Sequence, residues 1–297
     1  MTFDICTVGH ITLDKIVTPQ SITFMPGGTA FYFCKALQHF DVNDLLVTAL
    51  AEKENHIIQK LEEDGIKLIA LPSAHTLFFE NIYNETQDNR IQNVLATAEP
   101  FASASLDDVN ASIYHLGPLL SKDFDPGFIE HLSTKGIVSV DVQGLLRILD
   151  GQKVLYQDWK DKQEVLPHIS ILKANEFEME ILTGLKDERE GAKYIAGMGV
   201  KEVIITMGSR GSLIYTNNHF YDIPAYKPIA VTDATGCGDT YMAGYLYQKI
   251  KGSSVETSGS YGAAMASMKI AAHGPFTGNA ATVERFLLEK NAAIAGS

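Results

Sequence analysis

Apolar runs of strand length alternate with amphipathic stretches along most of the chain. Asp4 to Val8 reads as a first buried strand. Ala51 to Asp64 places Ile57, Ile58 and Leu61 on one face of a helix, Gly65 supplies a stop, and Ile66 to Leu71 follows as a strand. Ile113 to Leu116, Ile137 to Val140, Ile169 to Leu172 and Val203 to Thr206 are further strand-length runs, with helical patterns near residues 125–135, 176–183 and 188–198. Such alternation predicts an α/β fold, a βαβ succession around a largely parallel sheet. The last third adds a hairpin, Ser212 to Tyr215 and Phe220 to Ile223 about an Asn217-Asn218 turn, and then two helices, roughly Gly238 to Lys251 and Thr257 to Ala272.

Two segments depart from this rhythm. Thr76 to Tyr83 and Arg90 to Thr97 are rich in β-formers and flank the polar connection Asn84 to Asn89, which predicts an antiparallel hairpin. It is either an edge hairpin of the main sheet or, with Thr12 to Val17, a small β lid. One domain is expected over residues 1–297, with a β lid from about 10–18, 24–29 and 76–97.

Composition narrows the function classes. The chain has 297 residues, 45% of them hydrophobic, enough for a substantial core. Its formal charge of -12 disfavours nucleic acid as a partner. Cys6, Cys34 and Cys237 lack metal-type spacing, which argues against zinc and a disulfide framework and for a reducing compartment. Met1 to Val8 carries no basic flank before a long apolar stretch, and no window sustains the roughly eighteen apolar residues of a membrane helix. A cytoplasmic protein without membrane partners is expected.

The strongest local signal is Asp233-Ala-Thr-Gly-Cys-Gly-Asp239-Thr-Tyr-Met-Ala-Gly244. Small residues at 234 and 236–238 precede a helical pattern, so backbone N–H groups and the helix dipole can converge on an anion. Asp239 in the first turn could take a proton from a hydroxyl beside that anion. On the residues alone, the same pattern also describes an ordinary helix start with a stabilising acid. A dinucleotide fingerprint would need a third glycine, and no Gly-x-x-x-x-Gly-Lys-Ser/Thr loop occurs.

This segment resembles the carboxy-terminal signature of the PfkB, or ribokinase-like, carbohydrate kinase family, and other segments follow the family's order across nearly the whole chain. The resemblance implies a three-layer αβα fold with a mostly parallel central sheet and a small β lid, and an ATP-dependent phosphotransferase acting on a hydroxyl of a small sugar or polyol. Asp239 would be the base, and Gly236, Cys237 and Gly238 the anion hole. Asn175-Glu-Phe-Glu178 is similar to the motif that orders Mg²⁺ and phosphate, largely through water, and Asp233 and Thr235 match positions near which the family often holds a monovalent cation such as K⁺. Thr206, Gly208 and Gly211 resemble the nucleotide loop, with His273 and Gly274 as neighbours of the base.

The acceptor end is less regular. Asp14 matches the acid that hydrogen-bonds substrate hydroxyls, and Gly27-Gly28 the family's diglycine. Tyr32 stands where the family usually has Asn, which suggests a bulkier or ring-shaped acceptor. Asp141-Val-Gln143-Gly-Leu-Leu-Arg147 resembles a segment of plant-type myo-inositol kinases, although Gln143 and Arg147 read equally well as solvated residues after a strand. Arg90, on the hairpin, could reach an acceptor or phosphate, or face solvent. Cys237, where alanine is common, would be acidified by the helix N-terminus and open to oxidation, or else act as a small buried filler. A homodimer through the lid, an acceptor that is a nucleoside or inositol, and a non-catalytic regulator that kept the pocket complete the expectations. Asp239 argues against the regulator, which needs no base.

Overall fold

The chain enters as β1 (Thr2–Val8), turns back through the hairpin β2 (Thr12–Val17) and β3 (Ile22–Gly27), and continues into α1 (Thr29–Leu37). β4 (Asp44–Leu50), α2 (Asn55–Glu63) and β5 (Leu68–Pro72) precede the antiparallel strands β6 (Phe78–Tyr83) and β7 (Arg90–Ala96). Next come β8 (Asn110–Leu116), α3 (Pro126–Ser133), β9 (Ile137–Asp141) and a second hairpin, β10 (Arg147–Asp150) and β11 (Lys153–Tyr156). The short α4 (Lys162–Val165) leads to β12 (Ile171–Asn175), α5 (Glu176–Thr183), α6 (Glu188–Gly197) and β13 (Glu202–Thr206). The hairpin β14 (Ser212–Thr216) and β15 (His219–Ile223) and the helices α7 (Cys237–Ile250), α8 (Val255–Lys269) and α9 (Ala280–Ala295) complete it. This computed structural model describes residues 2–83 and 90–295, without the side chains of Tyr83, Arg90 and residues 291–295. The connection Asn84 to Asn89 lies outside the described residues.

Nine strands form the main sheet in the order β15-β14-β13-β12-β9-β8-β1-β4-β5. All its neighbours pair in parallel except β14, which is antiparallel to both β13 and β15. Successive strand residues supply opposite faces, as the period-two geometry requires. Ile5, Ile113 and Ile204 pack with Phe33, Met242 and Tyr245 of α1 and α7 on one side. Cys6, Tyr114 and Val203 pack with Phe128, Met179 and Ile195 of α3, α5 and α6 on the other. Each fully buried side chain of this size contributes about 1.5–3 kcal/mol relative to exposure, so both helix layers are held by the strands they cover.

Helix boundaries follow local chemistry. Asp125 accepts from Phe128 N with Pro126 at the start of α3, and Asn175 with Glu178 makes a reciprocal capping box on α5. Asn217 and Asn218, with φ 50° and 59°, make the expected tight turn between β14 and β15.

A six-stranded second sheet runs β10-β11-β7-β6-β2-β3. The predicted hairpin therefore leaves the main sheet and joins β2 through a parallel β2–β6 pairing. The sheet is larger than the sequence pattern indicated, because β10 and β11 extend it beyond β7. Six elements were not foreseen: α1, hidden in an aromatic run, the short α4, the last helix α9, β4, and that hairpin's two strands. The helix expected over Ala51 to Asp64 opens with a 3-10 turn at Glu52–Glu54 before α2 proper.

Candidate active site

β9, β12 and β13 of the main sheet end at Asp141, Asn175 and Thr206, beside the N-terminus of α7 and beneath the second sheet. A cleft of about 1310 Å³ occupies this junction. Gly236 caps α7 in the left-handed region at φ 74°, with no side chain closing the helix end. A Cβ there would overlap the Tyr32 ring, so the turn needs glycine for both its backbone and its space. The Cys237 amide donates to Ala234 O at 3.2 Å. The next two amides, of Gly238 and Asp239, belong to the first helical turn, whose N–H groups have no partner within the helix and suit an anion.

Asp239 lies half-buried on the cleft floor and accepts a hydrogen bond from Thr29, the first residue of α1. Thr29 can sit there because Gly117, after β8, leaves room: a Cβ at 117 would stand 2.5 Å from Thr29 Cγ2. Beside this acid the β12 residue Lys173 places its ammonium 2.9 Å from Asp141 Oδ2. Both side chains are almost wholly buried, with Glu178 close by. Burial works against the Lys173 charge, but Asp141, Glu178 and Asp239 outweigh it and hold its pKa above the ordinary lysine range. Burial, reinforced by the negative charge of Asp141, pushes Asp239 up to about 7, against the pull of Lys173 and Thr29. A carboxylate poised near neutrality over an anion-binding turn has the properties of a general base. Lys173 went unassigned in the sequence, though a lone lysine inside the apolar strand Ile171-Leu-Lys-Ala was the available signal.

The second sheet brings Asp14, Asn81 and Gln92 to one end of the cleft. Thr12 Oγ1 donates to Asp14 Oδ1 at 2.7 Å, and Gln92 Nε2 to Asn81 Oδ1 at 2.9 Å. The two glycines make this wall possible, since a Cβ at Gly27 would overlap the Asp14 carboxylate and one at Gly28, φ 94°, would overlap His10 O. Gln143 lines the cleft, and Arg147 does so from a buried position, 4% exposed, donating to Tyr156 Oη at 3.0 and 3.2 Å. The reading of Arg147 as solvated is thus corrected, because the β10–β11 hairpin folds over it. Tyr32 also reaches the cleft, but its ring backs the Gly236 turn. The Arg90 side chain lies outside the described residues.

At the other end stand Asn175, Thr206, Gly208 and His273. Gly211 closes the loop after β13, where its carbonyl accepts from Met207 N at 2.8 Å, and lies behind the wall with Glu178, Cys237 and Gly274. Arg210 is engaged by Glu176 and Glu188 rather than free for phosphate. Among the described residues no three acidic, His or Cys side chains form a metal cluster. Glu178 Oε2 accepts from Asn175 N at 2.8 Å within the capping box. That donor set, one buried carboxylate beside an amide cap, fits Mg²⁺ arriving with phosphates and keeping most of its waters.

Asp233 and Thr235 are differently occupied. Asp233 Oδ1 accepts from Thr235 N at 2.9 Å, while Lys269 Nζ lies 3.1 Å from Oδ2 and donates to the Asp233 carbonyl at 2.8 Å. The expected monovalent cation does not fit there, because an ammonium already holds Asp233. Burial alone would raise the Asp233 carboxyl, but Thr235 and Lys269 bring it below the usual carboxylate range. The expected acidity of Cys237 is overturned as well. Burial, with Asp233 and Asp239 nearby, pushes its thiol up to about 11 despite Lys269 and the helix N-terminus.

Residues 1–281 match the sequence model of the pfkB family carbohydrate kinases. The chain belongs to the pfkB carbohydrate kinase family. The kinase is 32% identical to ribokinase of Staphylococcus aureus, over 83% of this chain and 86% of that protein. It is 25% identical to cytidine kinase of Thermococcus kodakarensis, over 85% and 91% respectively. Among solved structures it is similar to a pyrophosphate-dependent kinase of the ribokinase family complexed with a pyrophosphate analog and myo-inositol, with 26% identity, TM-score 0.82, and coverage of 92% of this chain and 97% of that one. The ribokinase-like fold expected from the motifs is therefore the observed one.

Proposed function

We propose that the kinase moves the γ-phosphoryl group of ATP onto a hydroxyl of a small, ring-shaped polyol or sugar, with Asp239 as general base. The observation that carries this reading is Asp239 itself, a carboxyl held near neutrality three residues after Gly236, in the first turn of α7. The acceptor would lie between Asp14, Asn81 and Gln92, whose carboxylate and amides match several vicinal hydroxyls. Asp239 would take the proton of the attacking hydroxyl, and the Gly238 and Asp239 amides, with the Lys173 ammonium, would stabilise charge on the transferring group. Mg²⁺ held through water near Glu178 would neutralise the donor phosphates.

The second sheet would act as a lid that keeps water from competing with the acceptor. The chain would thus work as one ribokinase-like unit. The sheet exposes Ile22 at 60%, Phe24 at 57% and Ile91 at 62%, and β3 is an unpaired edge. These features suit docking of a second copy of the chain. No described helix is long and apolar enough to cross a membrane. The free cysteines fit the reducing cytoplasm.

ATP is favoured as donor because the cleft extends past Glu188 to Thr206, Gly208 and His273, with room beyond a polyol for a nucleotide. Pyrophosphate is the second reading, favoured by the likeness to a pyrophosphate-dependent kinase. A panel pairing ATP or pyrophosphate with inositols, pentoses, hexoses and nucleosides tests both. Turnover with ATP and a cyclitol or sugar is expected. Turnover with pyrophosphate alone would replace the donor, and turnover with nucleosides alone would replace the acceptor.

A further inference from the structure

Lys269 closes α8, and its side chain is fully buried. Few lysines are hidden so completely unless a partner accepts the charge. Its ammonium reaches the carbonyl of Asp233 at 2.8 Å and Oδ2 of the same residue at 3.1 Å, and it lies 5.9 Å above the ring of Tyr32. The same carboxylate receives Gly274 N at 3.3 Å and, through Oδ1, Thr235 N at 2.9 Å. The amides of Thr232 and Asp233 donate to Ile270 O at 2.8 and 3.1 Å. One positive charge thus sits at the crossing of the loop before α7 and the loop after α8. Lys269 is the last residue of α8, so it belongs to the negative end of that helix's dipole.

That location is behind the anion hole. Residues 233–236 lead directly into the Gly236 turn, whose ring support, Tyr32, also faces Lys269. A cation here fixes the turn and adds positive potential to it without contacting the phosphate. A carbonyl plus a carboxylate, both bound to a monovalent charge, is also the kind of oxygen set that holds K⁺. We propose that the Lys269 ammonium is a tethered substitute for a monovalent cation, a positioning residue that orders the phosphate-binding turn and makes the kinase independent of K⁺.

The inference rests on the phosphotransfer reading for its catalytic consequence, so the test uses melting temperature as well as turnover. The full chain is measured in KCl, NH₄Cl, NaCl and choline chloride at matched ionic strength. The parent kinase is expected to melt at the same temperature and turn over at the same rate in all four. Lys269→Ala opens a space for a free cation. Its kcat in choline should fall about tenfold or more, and K⁺ or NH₄⁺ should restore both kcat and melting temperature saturably. Lys269→Met keeps the aliphatic volume, and should lose activity without recovering it in K⁺. A parent enzyme that K⁺ activates or stabilises specifically would overturn the proposal. So would a Lys269→Ala protein whose melting temperature and turnover both ignore K⁺ and NH₄⁺, since the lysine would then be only structural. Should Lys269→Ala not fold, the parent and Lys269→Met measurements still decide. Absence of turnover with every donor and acceptor would defeat the phosphotransfer reading, while the melting temperatures would still report on the lysine.

Discussion

Asp239 combines two requirements that oppose each other, since the burial that suits it to the proposed role of base also makes its charged form costly. Its folded pKa, about 7, lies above the ordinary 3.8, so between these values the folded chain holds a proton the unfolded chain has released. Stability from this group therefore declines as pH rises through that window, and the full penalty persists above it. Asp239→Asn should melt at a higher temperature than the parent at pH 8, with the difference vanishing near pH 4; equal melting temperatures at pH 8 would mean that the carboxyl is not strained. Over the same range kcat/KM of the parent should rise to a plateau with an apparent pKa near 7. Lys173 is the counterweight, and Lys173→Met would leave Asp141 without its buried partner, at a cost on the order of 3–5 kcal/mol in a denaturant titration. Cys237, with its thiol near 11, should resist iodoacetamide at pH 7.5 in the folded kinase, and rapid labelling there would contradict the burial argument.

Elements place these residues more than the residues place themselves. α7 offers its first turn because Gly236 begins it, α1 offers Thr29 because Gly28 reverses the chain, and β12 delivers Lys173 one pleat before the Asn175 cap. The motif around Asp239 was legible through its resemblance to the family's carboxy-terminal signature, since a glycine turn ahead of a helix by itself also describes an ordinary helix start. Lys173, Lys269 and Arg147 were not. Each is a cation buried against acids or an aromatic hydroxyl supplied by remote segments, and only the fold brings those partners together. The wall of Asp14, Asn81 and Gln92 shows the same limit: Asn81 and Gln92, eleven residues apart, meet only through the pairing of β6 with β7. Asn81→Leu and Gln92→Leu should raise KM for the acceptor about tenfold or more while leaving KM for the donor unchanged, as expected when hydroxyl partners are lost. A change in donor KM alone would put the acceptor elsewhere.

The whole molecule is a main sheet that collects polar strand ends at one edge and a second sheet that faces them. Fold class followed from alternating apolar runs, and the standing of the hairpin, ambiguous by pattern, was decided by its parallel pairing with β2. The second sheet's outer face predicts self-association: light scattering should give a dimer mass, and Phe24→Glu with Ile91→Glu should give a monomer, whereas a monomeric parent would rule the interface out. The proposed step is deprotonation of an alcohol by the carboxylate beside the Gly236 turn during phosphoryl transfer. It is tested most directly by single-turnover transfer from ATP to the preferred acceptor in Asp239→Asn, with donor affinity measured in parallel. A rate lower by roughly a thousandfold or more, with ATP binding retained, is expected; a rate within about tenfold of the parent would remove Asp239 as the base.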